Sequence, residues 1–243
     1  MTNIIHTHKR TVLCEDAKVW LEKSDTFSDS SLVASLPDIS EFPSHSLELW
    51  KQWFIETASL ILSRTPDNGV TIFYQSDIKL EGKWIDKGFL CQKAAESVGA
   101  DLLWHKVACR SKPGQTTFSR CSYSHILCFS RGLKVDISKS TADVIPDIGE
   151  KTWPRGMGFD AAMMIAKFIA TQTASTNVVN PFCGQGSILA AANAVGLSAI
   201  GIERSPKRAK AAQALNVNLE TKRWIIAKDS RAEVTSVTEE KGE

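Results

Sequence analysis

The stretch NVVNPFCGQGSILAAA, residues 177–192, constrains the fold more than any other part of the chain. A short β-branched run passes into a turn with two glycines and then into an alanine-rich helix pattern, the signature of a strand handing over to a helix. Gly184 and Gly186 let backbone approach a ligand closely, and the helix start offers N–H groups with no partner inside the helix. The next apolar run, AIGIE, ends in Glu203, one strand-helix-strand step downstream. An acid at that point can accept hydrogen bonds from both hydroxyls of a ribose. A glycine turn by itself is a common structural device. The strand, helix and spaced acid together describe a site for an adenosine-type ligand at the carboxyl ends of adjacent strands. The spacing speaks against a dinucleotide, because the pair of glycines lacks the third glycine of GxGxxG.

The rest of the chain continues the alternation of short β-like runs and longer amphipathic stretches, which predicts an α/β sheet with helices on its faces. Strands are expected at Thr11–Cys14, Ser31–Leu36, Val70–Tyr74, Leu102–Ala108, His125–Ser130, Asn177–Asn180 and Ala199–Ile202, with a short last one at Trp224–Ala227. Helices are expected over DAKVWLEK, Ser46–Ser63, Trp84–Val98, Phe159–Ala170, Ser187–Val195 and Pro206–Leu219. Ser205 followed by Pro206 is a good helix start, with Ser as cap and Pro in the first turn. At 243 residues and 43% hydrophobic, the chain can bury one sizeable core. The organisation read from it is an N-terminal extension (1–10), a single domain (11–228) and a polar tail (229–243). Within the domain, 132–158 reads as a linker between an N-terminal half (11–131) and a ligand-binding half (159–228).

Composition narrows the partners little. A formal charge of +2 allows nucleic acid without demanding it. No apolar run approaches membrane-spanning length, so no membrane partner is expected, and MTNIIHTHKR lacks a signal-peptide core. Six cysteines occur without a CxxC pair, several inside apolar runs, which favours free buried thiols, a cytoplasmic location and no metal centre. His105 and His125 lie in apolar strand runs and read as satisfied core residues. Trp50, Trp53 and Trp104 read as core aromatics, with Trp153 a candidate for lining the ligand cleft. The cluster Arg204, Lys207, Arg208 and Lys210 reads first as a solvated helix face and second as a phosphate contact.

The residues from Asn180 to Ala212, NPFCGQGSILAAANAVGLSAIGIERSPKRAKAA, resemble the motif DPFxGSGT…A…G…IGIE of the S-adenosylmethionine-dependent amino-methyltransferases. WPRGMGFDAAMMIAKFI lies where those enzymes carry HPTQKP and a helix. The order of parts resembles the circularly permuted β-class DNA methylases (N6-adenine/N4-cytosine type), in which the catalytic half precedes the cofactor half. TVLCEDAKVWLEK is similar to their opening strand with its Gly-Asp turn, with Glu15 in place of the glycine. LELWKQWFIETASLILSRTPDNGVTIF, LLWHKVACR and SHILCFSRG resemble their later parts, so the similarity runs from about residue 11 to 219. The resemblance implies a Rossmann-like class I methyltransferase fold, with a largely parallel twisted sheet and helices on both faces. It implies S-adenosyl-L-methionine as cofactor, with Pro181, Phe182, Cys183, Gly184 and Gly186 at its methionine end. Glu203 would hold its ribose, and Asp16 would lie near its adenine. It also implies an exocyclic amine of a nucleobase, in RNA or DNA, as methyl acceptor.

The catalytic loop of that family reads Asp, Asn or Ser, then Pro-Pro, then an aromatic; here the matching position is Ser35-Leu36-Pro37-Asp38. An exocyclic amine is a poor nucleophile because its lone pair is delocalised into the ring. Two acceptors for its N–H bonds, here Ser35 Oγ and the Leu36 carbonyl, localise that lone pair toward the methyl donor. Asp38 cannot stack on a base. Three readings stay open. Phe129 or Phe42 supplies the stacking face, with Asp38 as acceptor or general base; the acceptor is not a base amine but a protein or small molecule; or the chain is an inactive cofactor-binding subunit. The target-recognition insert of the β-class enzymes is also missing, so a partner subunit or a structured substrate is expected to supply target selection.

Overall fold

In the computed structural model, which describes residues 9–118 and 120–226, the strand-loop-helix of 177–194 sits near the centre of a sheet. The chain enters through β1 (Arg10–Leu13), α1 (Ala17–Lys23), β2 (Ser30–Ala34), α2 (Leu47–Arg64) and β3 (Thr71–Gln75). A small hairpin, β4 (Ile78–Leu80) and β5 (Lys83–Ile85), precedes α3 (Lys87–Ser97), β6 (Asp101–Cys109) and β7 (Tyr123–Ser130). The two-residue strand β8 (Val144–Ile145) leads to α4 (Phe159–Gln172), β9 (Asn177–Asn180), α5 (Ser187–Ala194), β10 (Ser198–Ile202) and α6 (Pro206–Ala214). A second hairpin, β11 (Leu215–Asn218) and β12 (Arg223–Ile226), closes the described chain. Residues 1–8 and the expected tail lie outside the described residues.

Eight strands form one sheet in the order β1-β10-β9-β2-β3-β7-β6-β8. The first five are mutually parallel, β7 is antiparallel to both β3 and β6, and β8 pairs parallel with β6. The mixed α/β sheet with a parallel core and flanking helices is the architecture the alternation predicted. One face is covered by α4 and α5, whose Ile165, Ile169, Ile188 and Leu189 pack with Val33, Ile72, Ile126 and Val178. On the other, α2 and α3 bring Trp50, Phe54, Ile61 and Leu90 against Leu32, Phe73, Leu127 and Val179. Alternate residues of one strand thus serve opposite cores, which is why the central strands are apolar throughout. Each fully buried side chain of this size contributes roughly 1.5–3 kcal/mol.

Two expected helices differ. The helix expected from Trp84 begins at Lys87 instead: Glu81 and Gly82 both have positive φ, at 49° and 74°, and turn the chain into the β4–β5 hairpin, which takes Trp84 and Ile85. Paired positive-φ residues suit a two-residue hairpin turn, and Trp84 spends its indole N–H on Asp77 at 2.9 Å. The helix from Pro206 ends at Ala214, because Leu215–Asn218 find a strand partner in Arg223–Ile226. Tertiary pairing overrides helical periodicity at both places.

Arg10 fastens the edge. Its side chain reaches Asn193 Oδ1 at 2.7 Å and the carbonyl of Ala212 at 3.0 Å, and also bonds the carbonyl of Leu215. Burial pulls its guanidinium down to about 10, which still leaves it charged at neutral pH. It ties β1 to the ends of α5 and α6 and so fixes the flank of the site.

Candidate active site

Because β1, β10, β9, β2 and β3 are parallel, their carboxyl ends open on one edge of the sheet. The loops that leave them are Cys14–Asp16, Glu203–Ser205, Pro181–Gly186, Ser35–Asp38 and Ser76–Asp77. The strand order turns around between β9, which leads to β10 on one side, and β2, which leads to β3 on the other. That reversal leaves a crevice, the place where open α/β sheets bind ligands. A cavity of about 780 Å³ occupies it, within the range of cofactor sites.

The glycine loop is built from local bonds. Asn180 Oδ1 accepts from the Phe182 N–H at 3.1 Å, the Cys183 N–H bonds the Ile202 carbonyl at 3.0 Å, and the Gly186 N–H bonds the Cys183 carbonyl at 2.8 Å. Gly184 and Gly186 have φ of 56° and 83°, in the left-handed region that favours glycine. They serve different ends. A Cβ on Gly184 would meet the Trp153 indole at 3.6 Å, at the wall of the cavity. A Cβ on Gly186 would lie 2.8 Å from Ala212 Cα, so this glycine is required by the packing of α5 on α6 and does not line the cavity.

Glu203 is 7% exposed, and three donors converge on its Oε1. They are the Ser205 N–H at 2.7 Å, Arg208 Nε at 3.0 Å and Arg208 Nη2 at 2.9 Å. Oε2 has no protein partner among the described residues. Arg208 is thus no part of a solvated face; it orients Glu203 and lies over the Trp153 ring, 5.7 Å from its centroid. Lys207 and Lys210 are exposed. Asp16 stands at the cavity as the N-cap of α1, its Oδ1 accepting from the Lys18 and Val19 N–H groups at 3.0 and 3.1 Å. The Cys183 thiol is pushed up to about 12 by burial and the nearby Glu203, so it stays protonated and inert.

Ser35, Leu36, Pro37 and Asp38 leave β2 directly beside that loop and line the same cavity. Among the described residues, neither the Ser35 hydroxyl nor the Leu36 carbonyl has a hydrogen-bond partner. The Pro37 carbonyl is taken by Trp50 Nε1 at 3.3 Å, which pins the loop to α2. Asp38 is bonded to Lys87 Nζ, whose side chain is 4% exposed. Phe129 does not reach the site: it is 1% exposed and packs edge-on against Phe73, with ring centroids 6.0 Å apart. Its strand faces the α2–α3 core at that position, so alternation turns the ring away from the crevice. The cavity aromatics are instead Phe42 and Trp53, 4.5 Å apart, with Phe182 edge-on to Trp53 at 6.3 Å. Trp53 is therefore a wall of the site and Trp50 alone of that pair is core. The Tyr74 hydroxyl is buried at the cavity wall without a partner among the described residues.

Sequence reasoning missed one wall of the cavity. Asp77 is buried and accepts from Trp84 Nε1 at 2.9 Å, the Lys87 N–H at 2.9 Å and His125 Nε2 at 3.0 Å. Burial alone would raise this carboxyl; the bonds from His125 and Trp84 hold it below the usual carboxylate range. His125 Nδ1 lies 2.9 Å from Nε2 of His105, which is exposed, so the two histidines form a chain from Asp77 to the surface. Asp77, Asp86 and His125 present atoms within 4.8 Å of one another, but Asp86 caps α3 through the Phe89 N–H and Asp77 is fully bonded. Asp77 and Lys87 carry no sequence signal, because only the β4–β5 hairpin brings Lys87 back beside Asp77 and the Ser35–Asp38 loop. All six cysteines are free. No described helix is long and apolar enough to cross a membrane.

This architecture is that of a Rossmann-like methyltransferase fold. It is shared with a protein of Thermus thermophilus, described as a DNA modification methylase and solved in complex with S-adenosyl-L-methionine. That match has a TM-score of 0.63 and 18% identity, and covers 84% of this chain and 92% of that one. PvuII DNA methyltransferase (cytosine-N4-specific) matches with a TM-score of 0.67 and 15% identity, over 85% and 86% of the two chains. The M1.HpyAVI–SAM complex matches with a TM-score of 0.58 and 12% identity, over 84% and 97%. No protein-family model and no curated protein sequence matches the chain.

Proposed function

We propose that this chain is an S-adenosyl-L-methionine-dependent methyltransferase that methylates an exocyclic amine of a nucleobase in RNA or DNA, with the permuted order of the β-class DNA methylases. The observation that carries the reading is the meeting of two loops in one crevice. A glycine loop with a ribose-type acid leaves β9 and β10, and a loop with two unengaged acceptors leaves the neighbouring β2. Solved structures of the same fold that hold S-adenosyl-L-methionine support the choice of cofactor.

The residues present fit that cofactor. Glu203, oriented by Arg208, has one carboxylate oxygen free for ribose hydroxyls; Gly184 and the Pro181–Phe182 turn leave backbone approachable; and Asp16 lies at the far end. The bound cofactor supplies an electrophilic methyl group on a sulfonium. Ser35 Oγ and the Leu36 carbonyl accept the two N–H bonds of the amine, which turns its lone pair toward that methyl. Phe42 and Trp53, and not Phe129, offer the aromatic face for a base. Asp38, paired with Lys87, provides an anionic acceptor where the related loop has an aromatic.

The test is to incubate the pure protein with radiolabelled cofactor and separate pools of RNA, DNA, protein and metabolites. The expected result is label in nucleic acid that disappears with Ser35→Ala. Tight cofactor binding with no label in any pool would instead favour an inactive binding subunit, and label in protein or metabolites a different acceptor.

A further inference from the structure

The cations lining the cavity fall into two kinds. Lys18, Lys87, Arg155 and Arg208 are each paired with a carboxylate, Glu56, Asp38, Glu41 and Glu203 respectively. Lys79, Arg110, Arg120 and Arg204 have no carboxylate partner among the described residues, and Lys79 donates to the Thr117 carbonyl at 2.9 Å. Lys151, on the segment before Trp153, has no carboxylate partner there either. Arg110 leaves the end of β6 and is held in place by neutral groups, donating to Ser76 Oγ at 2.8 Å and to the Pro154 carbonyl at 3.3 Å. Arg110 and Arg120 line the acceptor end of the cavity, and Arg120 is exposed on the loop between β6 and β7. Lys151 is close enough for both arginines to act on it. Burial first, and then their charges, push its ammonium below the ordinary lysine range.

Two arginines without carboxylate partners at one cavity, with a lysine within reach of both charges, repel one another and attract an anion. The carboxylates of the adjoining strand ends do not fill that place, since Asp38 is bonded to Lys87, and Asp77 to His125 and Trp84. Two arginines that carry planar forks and one lysine match the oxygens of a phosphate. On the same loop, two residues before Arg120, Phe118 is 90% exposed and offers a free aromatic face. Cations that track a backbone, next to an aromatic on which bases can stack, make up the usual grip on single strands.

We propose that Arg110, Arg120 and Lys151 form a phosphate cradle that holds the backbone of a single-stranded nucleic acid, with Phe118 stacking on a neighbouring base. The proposal rests on the reading of the cavity as a nucleobase methyltransferase site and names how that site grips its substrate. An unpaired strand suits the site because its amine reaches Ser35 without being extracted from a duplex.

The test measures binding of short, labelled, mixed-sequence single-stranded DNA and RNA, and of the mononucleotides AMP and CMP, across a salt series with S-adenosylhomocysteine present. The variants are Arg120→Gln, Phe118→Ala and the triple Arg110→Gln/Arg120→Gln/Lys151→Gln. Arg120 and Phe118 are exposed, so those two variants test the idea even if the triple change fails to fold. Removing a phosphate contact on a single strand lowers the slope of log affinity against log salt by ~0.7. The expected result is a slope lower by about that amount for Arg120→Gln, by about two for the triple variant, and affinity at least tenfold weaker for the triple. Phe118→Ala is expected to weaken strands several-fold and mononucleotides not at all. Unchanged salt slopes in a protein that binds strands well would overturn the cradle and leave the nucleobase reading standing. Mononucleotides bound as tightly as strands would overturn the strand assignment. A wild-type protein that binds neither, while still binding S-adenosylhomocysteine, would remove the cradle and the nucleobase reading together.

Discussion

Lys87 Nζ bonds Asp38 Oδ1, joining the first turn of α3 to the loop that leaves β2. The lysine side chain is 4% exposed and the aspartate 42%, so one end of the pair is dry and the other wet. Replacing Lys87 with Met leaves Asp38 able to turn to water. The expected loss of stability is about 1–2 kcal/mol, below the roughly 3–5 kcal/mol of a fully buried pair broken on one side. Urea denaturation of Lys87→Met, Asp38→Asn and the double variant checks it, with the double variant expected to be less destabilised than the sum of the two.

If the proposed reading holds, Ser35→Ala removes one acceptor from an amine that already has poor nucleophilicity. Methyl transfer is expected to fall by roughly two to three orders of magnitude, the scale for losing one preorganised hydrogen bond at a reacting centre. Cofactor affinity by calorimetry should stay within error, since the serine hydroxyl has no bond to the glycine loop.

Glu203→Gln keeps the size of the side chain and removes the charge that Arg208 holds. A charge-assisted hydrogen bond contributes about 1.5–3 kcal/mol, so affinity for S-adenosylhomocysteine should drop roughly ten- to a hundredfold. Arg208→Ala is expected to lower it less, because Ser205 still holds Oε1 at 2.7 Å. Equal losses in the two variants would count against Glu203 as the direct contact.

Gly186→Ala places a methyl 2.8 Å from Ala212 Cα on a residue with φ of 83°. The left-handed backbone and the clash together are expected to cost about 2–3 kcal/mol. Gly184→Ala meets only the Trp153 ring at 3.6 Å, so it should cost about 1 kcal/mol in stability and act mainly on cofactor affinity. Thermal denaturation and calorimetry on the pair separate packing from binding.

Asp77 links the site to pH. Its folded carboxyl titrates below the ordinary aspartate value of 3.8, so its contribution to stability is complete above that value and is lost as pH falls through the folded pKa. Wild-type Tm should therefore fall more steeply below about pH 4 than that of Asp77→Asn, which no longer titrates there. Parallel curves for the two proteins would show that the network around His125 is not coupled to the fold in this way.

The β9–α5–β10 unit and its glycine loop are legible in the sequence because their signals are local: β-branched runs, two glycines at a turn, an acid at the next strand end. The same holds for most strands and helices. Trp84 reads as helical from sequence because the Glu81-Gly82 turn has little weight against the apolar spacing that follows it. Phe129 escapes for a different reason. Sequence places it on the right strand, but only the sheet decides which face a residue takes, and a strand alternates faces at every step. Phe42 and Trp53 enter the cavity because α2 and the loop before it fold over the crevice.

An α/β sheet with a glycine loop between a strand and a helix is written into the chain locally, since those features depend on neighbours a few residues apart. Tertiary structure alone decided that the loop from β9 and the Ser35–Asp38 loop from β2 would lie side by side. It also decided that Lys87 would meet Asp38, that Arg208 would orient Glu203, and that Arg110 and Arg120 would line the same cavity. Each of those depends on strand order and on which face a side chain takes, and both are set by how the two cores pack against the sheet.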